Sequence, residues 1–259
     1  MDALRISLIQ TELAWESPEI NREHLAGEIA QLTGGSDLIV LPEMFTTGFT
    51  MAPEHIAEPA GGETLDWMRQ QSRHSGALLC GSVAVQDGAC YYNRFYWVSP
   101  DGHSGYYDKR HLFRMGDEHH HYAPGADVGG FEYNGWKIRP LVCYDLRFPV
   151  WCRRREDYDL LLCVANWPAP RRNAWRTLLA ARAIENQCYV AAVNRVGQDG
   201  KGLDYAGDSQ IIDFKGESII DRPPGDPFTA TESISRQALE AFRTKFPAWQ
   251  DADGFDIRF

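Results

Sequence analysis

A cysteine stands where an apolar run of the sequence ends, in Leu-Val-Cys143-Tyr144-Asp-Leu-Arg-Phe-Pro. The run from Ile138 to Val142 predicts a buried strand, and α/β sheets place their chemistry where strands end. A thiolate there can attack a carbonyl carbon, and the backbone N–H of Tyr144 would lie beside the sulfur, facing the oxyanion that forms. The alternative is an inert core residue, because free cysteine is among the most buried residue types.

Two further reactive side chains also follow strand-like runs. Glu43 comes after Leu-Ile-Val-Leu-Pro, and Lys109 comes after Tyr-Tyr-Asp. Taken singly, such a glutamate is more often a helix cap or ion-pair partner, and such a lysine is more often solvated. Together with Cys143 they supply a base, a cation and a nucleophile at equivalent strand ends, which is the set that acyl transfer requires.

The elements that must position these groups alternate between strands and helices. Predicted strands cover residues 4–10, 37–41, 77–85, 90–98, 106–108, 138–142, 160–165 and 189–193, and a hairpin covers 209–220. Predicted helices cover 18–32 with Ser17 as cap, 63–75, 149–155, 172–186 and 235–245 with Ser235 as cap. This order predicts an α/β fold in which a mixed sheet is covered by helices.

The length of 259 residues allows one large domain or two small ones. Apolar residues make up 44% of the chain and eight are tryptophans, which is enough to fill a sizeable core. Because no repeat or linker marks a boundary, we predict a single domain over residues 1–259. The aromatic tail at 246–259 is too apolar to be a free end, so we expect it to pack on the domain or on a partner subunit.

Acidic residues outnumber basic residues by 36 to 26, for a net charge of −10. This balance argues against a nucleic-acid or anionic-membrane partner, and Arg153-Arg154-Arg155 is interpreted as the solvated face of a short helix. No apolar run approaches the length of a membrane span, and no secretory leader pattern opens the chain. We therefore expect a soluble, cytoplasmic protein.

Six cysteines occur in the chain, and in that compartment we expect them to be thiols. Cys80, Cys163 and Cys188 lie inside apolar strand-like runs, which indicates inert core positions. Cys152 precedes three arginines, which could lower the pKa of its thiol, so it is the second candidate for a reactive cysteine.

The three strand-end segments resemble the signature segments of the nitrilase (carbon-nitrogen hydrolase) superfamily, in the order of that family. The matching segments are Leu-Pro-Glu43-Met-Phe, Tyr-Asp-Lys109-Arg-His-Leu-Phe and Cys143-Tyr-Asp-Leu-Arg-Phe-Pro, with further likeness at residues 182–190 and 207–216. The resemblance spans about residues 4–220. It implies a four-layer α-β-β-α sandwich with Glu43, Lys109 and Cys143 as catalytic triad, and Glu118 as the second glutamate that many members carry.

The chemistry of these residues agrees with the implied roles. A free thiol has a pKa of about 8.5 and is mostly protonated at neutral pH, so Cys143 needs Glu43 to take its proton and Lys109 to supply positive charge. Protonated Glu43 could then donate to the leaving ammonia and, as a carboxylate, activate water against the thioester. We therefore expect a cysteine amidase that needs no cofactor and no metal.

Within the superfamily, the residues of these segments resemble those of the omega-amidase branch. This resemblance implies hydrolysis of the terminal amide of 2-oxo dicarboxylic acid monoamides such as 2-oxoglutaramate and 2-oxosuccinamate. Such a substrate needs a cation for its far carboxylate, and the candidates are Arg147, Arg114 and Arg171. For Arg147, structural ion pairing with Asp145 or Glu185 is the competing interpretation. Aromatic residues in or beside the catalytic segments could form the pocket walls; these are Phe45, Phe113 and Trp167.

Other readings of the chain stay open. Another specificity, for a nitrile, a carbamoyl group or a simple amide, would share the triad, and a binding protein could retain the fold without turnover. His119-His120-His121, with Glu118 and His111 nearby, invites a metal site, but consecutive side chains on an extended loop match no common zinc spacing. We expect that segment to form the pocket rim. The tail and the family habit together predict a homodimer.

Overall fold

The computed structural model describes residues 2–155 and 157–258. Its strands are β1 (Ala3–Gln10), β2 (Leu38–Val40), β3 (Glu58–Pro59), β4 (Leu78–Asp87), β5 (Cys90–Val98), β6 (Ser104–Asp108), β7 (Phe131–Tyr133), β8 (Trp136–Val142), β9 (Leu160–Ala165), β10 (Tyr189–Asn194), β11 (Val196–Gln198), β12 (Asp204–Ala206), β13 (Gln210–Ile212), β14 (Ser218–Asp221) and β15 (Phe228–Ser235). Its α-helices are α1 (Pro18–Ala30), α2 (Pro53–Ile56), α3 (Glu63–Ser75), α4 (Glu118–His121), α5 (Pro149–Cys152), α6 (Arg172–Asn186) and α7 (Arg236–Lys245).

The strands form two large mixed sheets and one small ribbon. The first sheet has the order β15-β1-β2-β4-β5-β6, with β3 paired to β4, and the second has the order β14-β13-β10-β9-β8-β7. Strands β1, β2 and β4 run parallel in the first sheet, as do β8, β9 and β10 in the second. The antiparallel pair β11–β12 stands apart as a two-stranded ribbon.

The two sheets face each other across one hydrophobic core. Alternate residues of β1, Leu4, Ile6 and Leu8, belong to the same buried cluster as the β9 segment 160–165. Because β9 is buried on both faces, its sequence is apolar throughout rather than alternating.

Helices cover the outer face of each sheet. On the first sheet, α1 and α3 bury Leu25, Ile29, Leu65 and Met68, and on the second, α6 buries residues spaced four apart, including Trp175 and Leu179. The predicted four-layer α-β-β-α arrangement is confirmed.

The sequence missed one long strand. Strand β15 pairs antiparallel with β1 over eight residues, from Ala3 opposite Ser235 to Gln10 opposite Phe228. It lies at the edge of its sheet and is mostly exposed or half-buried, so its composition carries little of the apolar alternation that marks a buried strand. Ser17 is the N-cap residue of α1 as predicted, but its hydroxyl donates to the Trp15 carbonyl at 2.9 Å and forms no capping hydrogen bond with the helix.

Phe45 lies in the core between sheet and helices, so its predicted place in a pocket wall is wrong. The chain turns sharply at Met44, where φ is +43°, and Phe45 is then 0% exposed. Its ring lies 5.8 Å from that of Trp67 on α3, in the cluster that also holds Leu65. Tight packing next to the β4 backbone, rather than contact with a ligand, explains an aromatic residue at this position.

The C-terminal segment contacts its own domain. Gln187 donates to the Phe246 carbonyl at 2.8 Å, and the Arg155 guanidinium lies 4.3 Å from the centre of the Phe255 ring. Ile257 packs against the main core. Within the described residues no helix has the length and apolarity to cross a bilayer. The cytoplasmic location inferred from the sequence stays a prediction.

Candidate active site

A buried lysine lies between two buried carboxylates. Lys109 Nζ is 3.0 Å from Glu43 Oε1 and 2.9 Å from Glu118 Oε1, and both glutamates are fully buried. The Phe113 backbone N–H donates to Glu118 Oε2 at 2.6 Å, which fixes the second carboxylate. Removing such charges from water costs several kcal/mol per ion, so only close pairing and added hydrogen bonds make the cluster tolerable.

The fold brings these side chains together from the ends of different strands. Glu43 follows β2 and Lys109 follows β6 in the first sheet, whereas Cys143 follows β8 in the second. Because the two sheets pack face to face, residues far apart in the chain converge at one end of the sandwich. Glu118 reaches the cluster from α4, a single helical turn and not the extended loop that the sequence suggested.

Asn166 connects the base to the candidate nucleophile. Its backbone N–H donates to Glu43 Oε2 at 2.6 Å and its side-chain amide to the Glu43 carbonyl at 2.7 Å. Its own carbonyl lies 3.9 Å from the sulfur of Cys143. The sequence showed only that Asn166 ends strand β9, which is the parallel neighbour of the strand that ends at Cys143.

The turn at Cys143 is strained and anchored by Asp145. Cys143 has φ +46°, a left-handed conformation that costs a non-glycine residue about 1–2 kcal/mol. The buried Asp145 carboxylate accepts hydrogen bonds from Val142 N at 3.1 Å, from the Tyr107 hydroxyl at 2.8 Å and from His111 N at 2.9 Å. These bonds hold the turn and therefore the direction of the thiol.

The charges of the cluster set the protonation of the lysine and the thiol. Burial opposes the charge on Lys109, but Glu118 and Glu43 outweigh it and raise the pKa of the ammonium, which stays protonated. Burial, followed by the Glu43 charge, raises the pKa of the Cys143 thiol well above its usual value against the opposing effect of Lys109. Burial likewise raises the pKa of Glu118. The resting site therefore holds an ammonium and a neutral thiol.

Cys152 is not an activated thiol. It is 0% exposed, and burial raises the pKa of its thiol to about 12, since the neighbouring cations only partly offset the desolvation. The lowered pKa that the three following arginines suggested is therefore wrong.

A cavity of about 280 Å³ opens onto Cys143. Its lining includes four of the six side chains proposed from the sequence as substrate contacts, together with Tyr144; the four are Phe113, Trp167, Arg147 and Arg171. Sequence reasoning missed further lining residues, which are Phe49, Met51, Met115, Asn166 and the ribbon residues Asp199, Lys201, Leu203 and Tyr205. No sequence motif includes these ribbon residues. They reach the cavity only because the β11–β12 ribbon packs beside it.

Two arginines at the cavity stack on aromatic rings. The Arg147 guanidinium lies 4.8 Å from the centre of the Trp167 ring, and that of Arg171 lies 5.2 Å from the Phe113 ring. The acids near Arg147 are used elsewhere, because Asp145 binds His111 and Glu185 pairs with Arg182 at 2.7 Å. Within residues 2–155 and 157–258, Arg147 forms no ion pair.

The remaining arginine candidate and the histidine segment lie outside this cavity. Arg114 is exposed and does not contribute to the lining. The His111 ring stacks on the Phe148 ring with 3.8 Å between the ring centres, and its Nδ1 lies 2.8 Å from Asp145 Oδ1. His111 therefore stabilises the turn at Cys143 rather than binding a ligand. Across the described part of the chain, no group of three or more His, Cys, Asp or Glu side chains could hold a metal ion.

The chain belongs to the carbon-nitrogen hydrolase family, whose model matches residues 5–244. It is similar to Omega-amidase YafV of Escherichia coli K12, with 49% identity over 99% of this chain and 100% of that protein. It is 34% identical to the 2-oxoglutaramate amidase of Bacillus subtilis, over 95% of this chain and 96% of that protein. Among solved structures, a protein of this superfamily from Xanthomonas campestris, with an arsenic adduct in its active site, covers 100% of both chains at 48% identity and a TM-score of 0.97.

The raised pKa of the Cys143 thiol predicts how the free protein titrates. We expect the ultraviolet thiolate absorbance of the wild type and of Cys143→Ala to rise together from about pH 6 to about pH 9, because Cys143 stays protonated in this range. The other five cysteines are present in both proteins and supply the common baseline. A titration step seen only in the wild type would mean that the thiol is already ionised at rest.

Proposed function

We propose that this protein is an omega-amidase, which hydrolyses the terminal amide of 2-oxo dicarboxylic acid monoamides to the acid and ammonia through a thioester. The observation that carries the proposal is Lys109 held between Glu43 and Glu118. Asn166 joins Glu43 to Cys143, and Cys143 lines a cavity that also contains Arg147, which forms no ion pair with the described residues. Full-length similarity to proteins named omega-amidase and 2-oxoglutaramate amidase supports the choice within the family.

In the acylation step, the Cys143 sulfur attacks the amide carbon as Glu43 takes the thiol proton. The neutral resting thiol makes this proton transfer part of the attack rather than a prior ionisation. Negative charge passes to the carbonyl oxygen, where the Lys109 ammonium and the Tyr144 backbone N–H stabilise it; one such donor contributes about 3–4 kcal/mol. The C–N bond then breaks as Glu43 returns the proton to nitrogen, which leaves ammonia and a thioester.

In the deacylation step, the Glu43 carboxylate takes a proton from water, and the resulting hydroxide attacks the thioester carbon. The C–S bond breaks, the proton passes from Glu43 to sulfur, and the carboxylic acid leaves. Glu118 has no proton to transfer in this scheme. Its bonds to Lys109 and to the Phe113 N–H orient the ammonium, so that Lys109 serves as a cation while Glu43 remains available as the base.

At the other end of the cavity, Arg147 binds the substrate carboxylate. Its place over the Trp167 ring orients the guanidinium without neutralising it, and a fork of N–H donors suits a carboxylate. Phe113, Trp167 and Tyr144 supply apolar walls for the short carbon chain between the two polar ends. Arg171 is the second cation near this position.

Ammonia release across a panel of amides tests the proposal. We expect turnover of 2-oxoglutaramate and 2-oxosuccinamate to exceed that of simple amides, nitriles and ureides, because only the 2-oxo acid amides offer both an amide and a carboxylate at suitable separation. Preference for a nitrile or a ureide would indicate another specificity within the family, and no release from any compound would favour a binding protein.

Two variants and two reagents serve as controls for the panel. Cys143→Ala should abolish release, whereas Cys152→Ala should retain it, since Cys152 is buried away from the cavity lining. Iodoacetamide should inactivate the wild type and a chelator should not. The reverse result with the two reagents would favour a metal-dependent hydrolase.

Replacing Arg147 tests the carboxylate contact. Arg147→Gln should lower kcat/KM for 2-oxoglutaramate by about 10- to 150-fold, the effect of one lost hydrogen bond to a charged group. Its kcat/KM for a neutral simple amide should stay near the wild-type value. Arg114→Gln, at an exposed position outside the cavity lining, is the matched control and should leave both values unchanged. An equal loss on both amides in Arg147→Gln would assign Arg147 a structural role.

We also propose that the enzyme is a homodimer that uses the surface of α5 and α6. Val150 and Ile184 are 56% and 54% exposed on these helices, which touch through a bond from Arg153 to the Glu185 carbonyl. Light scattering at micromolar concentration should give twice the chain mass of 29.3 kDa. The double change Val150→Asp and Ile184→Asp should give the monomer mass, and Ile20→Asp, at an equally exposed site on α1, should not. A monomeric wild type would contradict the proposal.

A further inference from the structure

A buried asparagine contacts three members of the charged cluster. Asn93 lies on β5 and is 0% exposed. Its side-chain Nδ2 donates to Glu43 Oε1 at 2.8 Å and lies 3.4 Å from Glu118 Oε1. Its backbone carbonyl accepts from the Lys109 N–H at 3.0 Å. No motif in the sequence singled out this residue, which sits inside a strand of ordinary composition.

The amide nitrogen of Asn93 and the ammonium of Lys109 bind the same two oxygens. Glu43 Oε1 and Glu118 Oε1 each accept from both nitrogens, which closes a four-membered ring of alternating donors and acceptors. The orientation of the amide has a cost, because Asn93 Oδ1 is buried and accepts no hydrogen bond from the described residues. If the amide were turned over, its oxygen would face the two carboxylates, which cannot donate a hydrogen bond to it and would repel it.

We propose that Asn93 is a positioning residue that keeps the two carboxylates ionised and in place around Lys109. One ammonium cannot neutralise two carboxylates, and a neutral donor shared by both lowers the cost of the second negative charge without adding a competing cation. This inference rests on the proposed function, in which Glu43 must be ionised to accept the thiol proton. Asn93 itself does not line the cavity and does not touch the substrate.

The acid-base behaviour of the ring depends on every charged or titratable group that faces Glu43. These groups are Lys109 after β6, Glu118 on α4, Cys143 after β8, Cys163 on β9, Tyr122 after α4 and Tyr205 on β12. Of these, only Lys109 is a cation, so the neutral donors from Asn93 and Asn166 are the other stabilising contacts of the Glu43 carboxylate. Removing one of them favours the protonated acid.

The test compares Asn93→Ala with the wild type on an amide that the wild type hydrolyses. We expect kcat to fall by about a hundredfold or more, as for a disabled general base, with KM nearly unchanged. The acid limb of kcat/KM should move upward by about one pH unit or more, because the base now binds a proton at higher pH. If Asn93 only fills space, Asn93→Ala should leave the acid limb of kcat/KM unchanged and should not lower kcat selectively.

Asn186→Ala is the matched control. Asn186 is also a buried asparagine on α6, and its amide donates to the Arg182 carbonyl at 2.9 Å and lies 3.5 Å from Glu185 Oε1 rather than near Glu43 or Glu118. We expect this variant to lose thermal stability while its pH profile superimposes on that of the wild type. If Asn93→Ala does not fold, Asn93→Val removes the donor without leaving a cavity and should give the same upward shift of the acid limb.

A second readout needs no substrate. The rate at which iodoacetamide alkylates Cys143, measured by mass spectrometry, should fall at neutral pH in Asn93→Ala and stay unchanged in Asn186→Ala. A wild type that is inactive on the whole amide panel would overturn the proposed function and leave the alkylation rates to decide the role of Asn93. Wild-type alkylation rates and an unshifted pH profile in a folded Asn93 variant would overturn this inference.

Discussion

The structure depends on one unfavourable arrangement, an ammonium buried between two carboxylates. Lys109, Glu43 and Glu118 are all almost fully removed from water, and the single ammonium lies within 3.0 Å of both carboxyl groups. Such a cluster is stable only when each oxygen and each N–H finds a partner. The neighbouring backbone and asparagine donors meet that requirement, which explains why polar residues stand at several strand ends that the hydrophobic core alone would fill with apolar side chains.

The two-sheet sandwich is what makes this arrangement possible. Parallel strands in each sheet end on the same side, and the face-to-face packing of the sheets brings the ends of β2 and β6 toward the ends of β8 and β9. Glu43, Lys109 and Cys143 thus follow strands of the core, so the packing of those strands determines where they lie. The strained φ of Cys143 also depends on its surroundings, since the buried Asp145 holds the turn that presents the thiol.

The charged residues of the site form two groups, one around Lys109 and one along the cavity. Burial, followed by the Glu43 charge, raises the pKa of the Cys143 thiol, and in the proposed mechanism the thiol therefore loses its proton as it attacks. Three cations, Arg147, Arg171 and Lys201, and one acid, Asp199, line the cavity, which gives it an excess of positive charge in a protein of net charge −10. An anionic substrate is therefore attracted by the cavity and not by the rest of the surface, and only its neutral amide end needs to approach the carboxylates.

The sequence by itself determined most of the elements and their order, the family resemblance and the candidate reactive side chains, because these depend on local patterns. Helices α3 and α6 and strands β5 and β9 have the predicted bounds, and Glu43, Lys109 and Glu118 converge as the motifs implied. Only the tertiary structure decided which neighbours support them. Asn93, Asn166 and the ribbon residues carry no local signal, since their roles arise from contacts across many residues of chain. The same reason explains Phe45 and Cys152, whose residue types suit either a pocket or a core, and which burial assigns to the core.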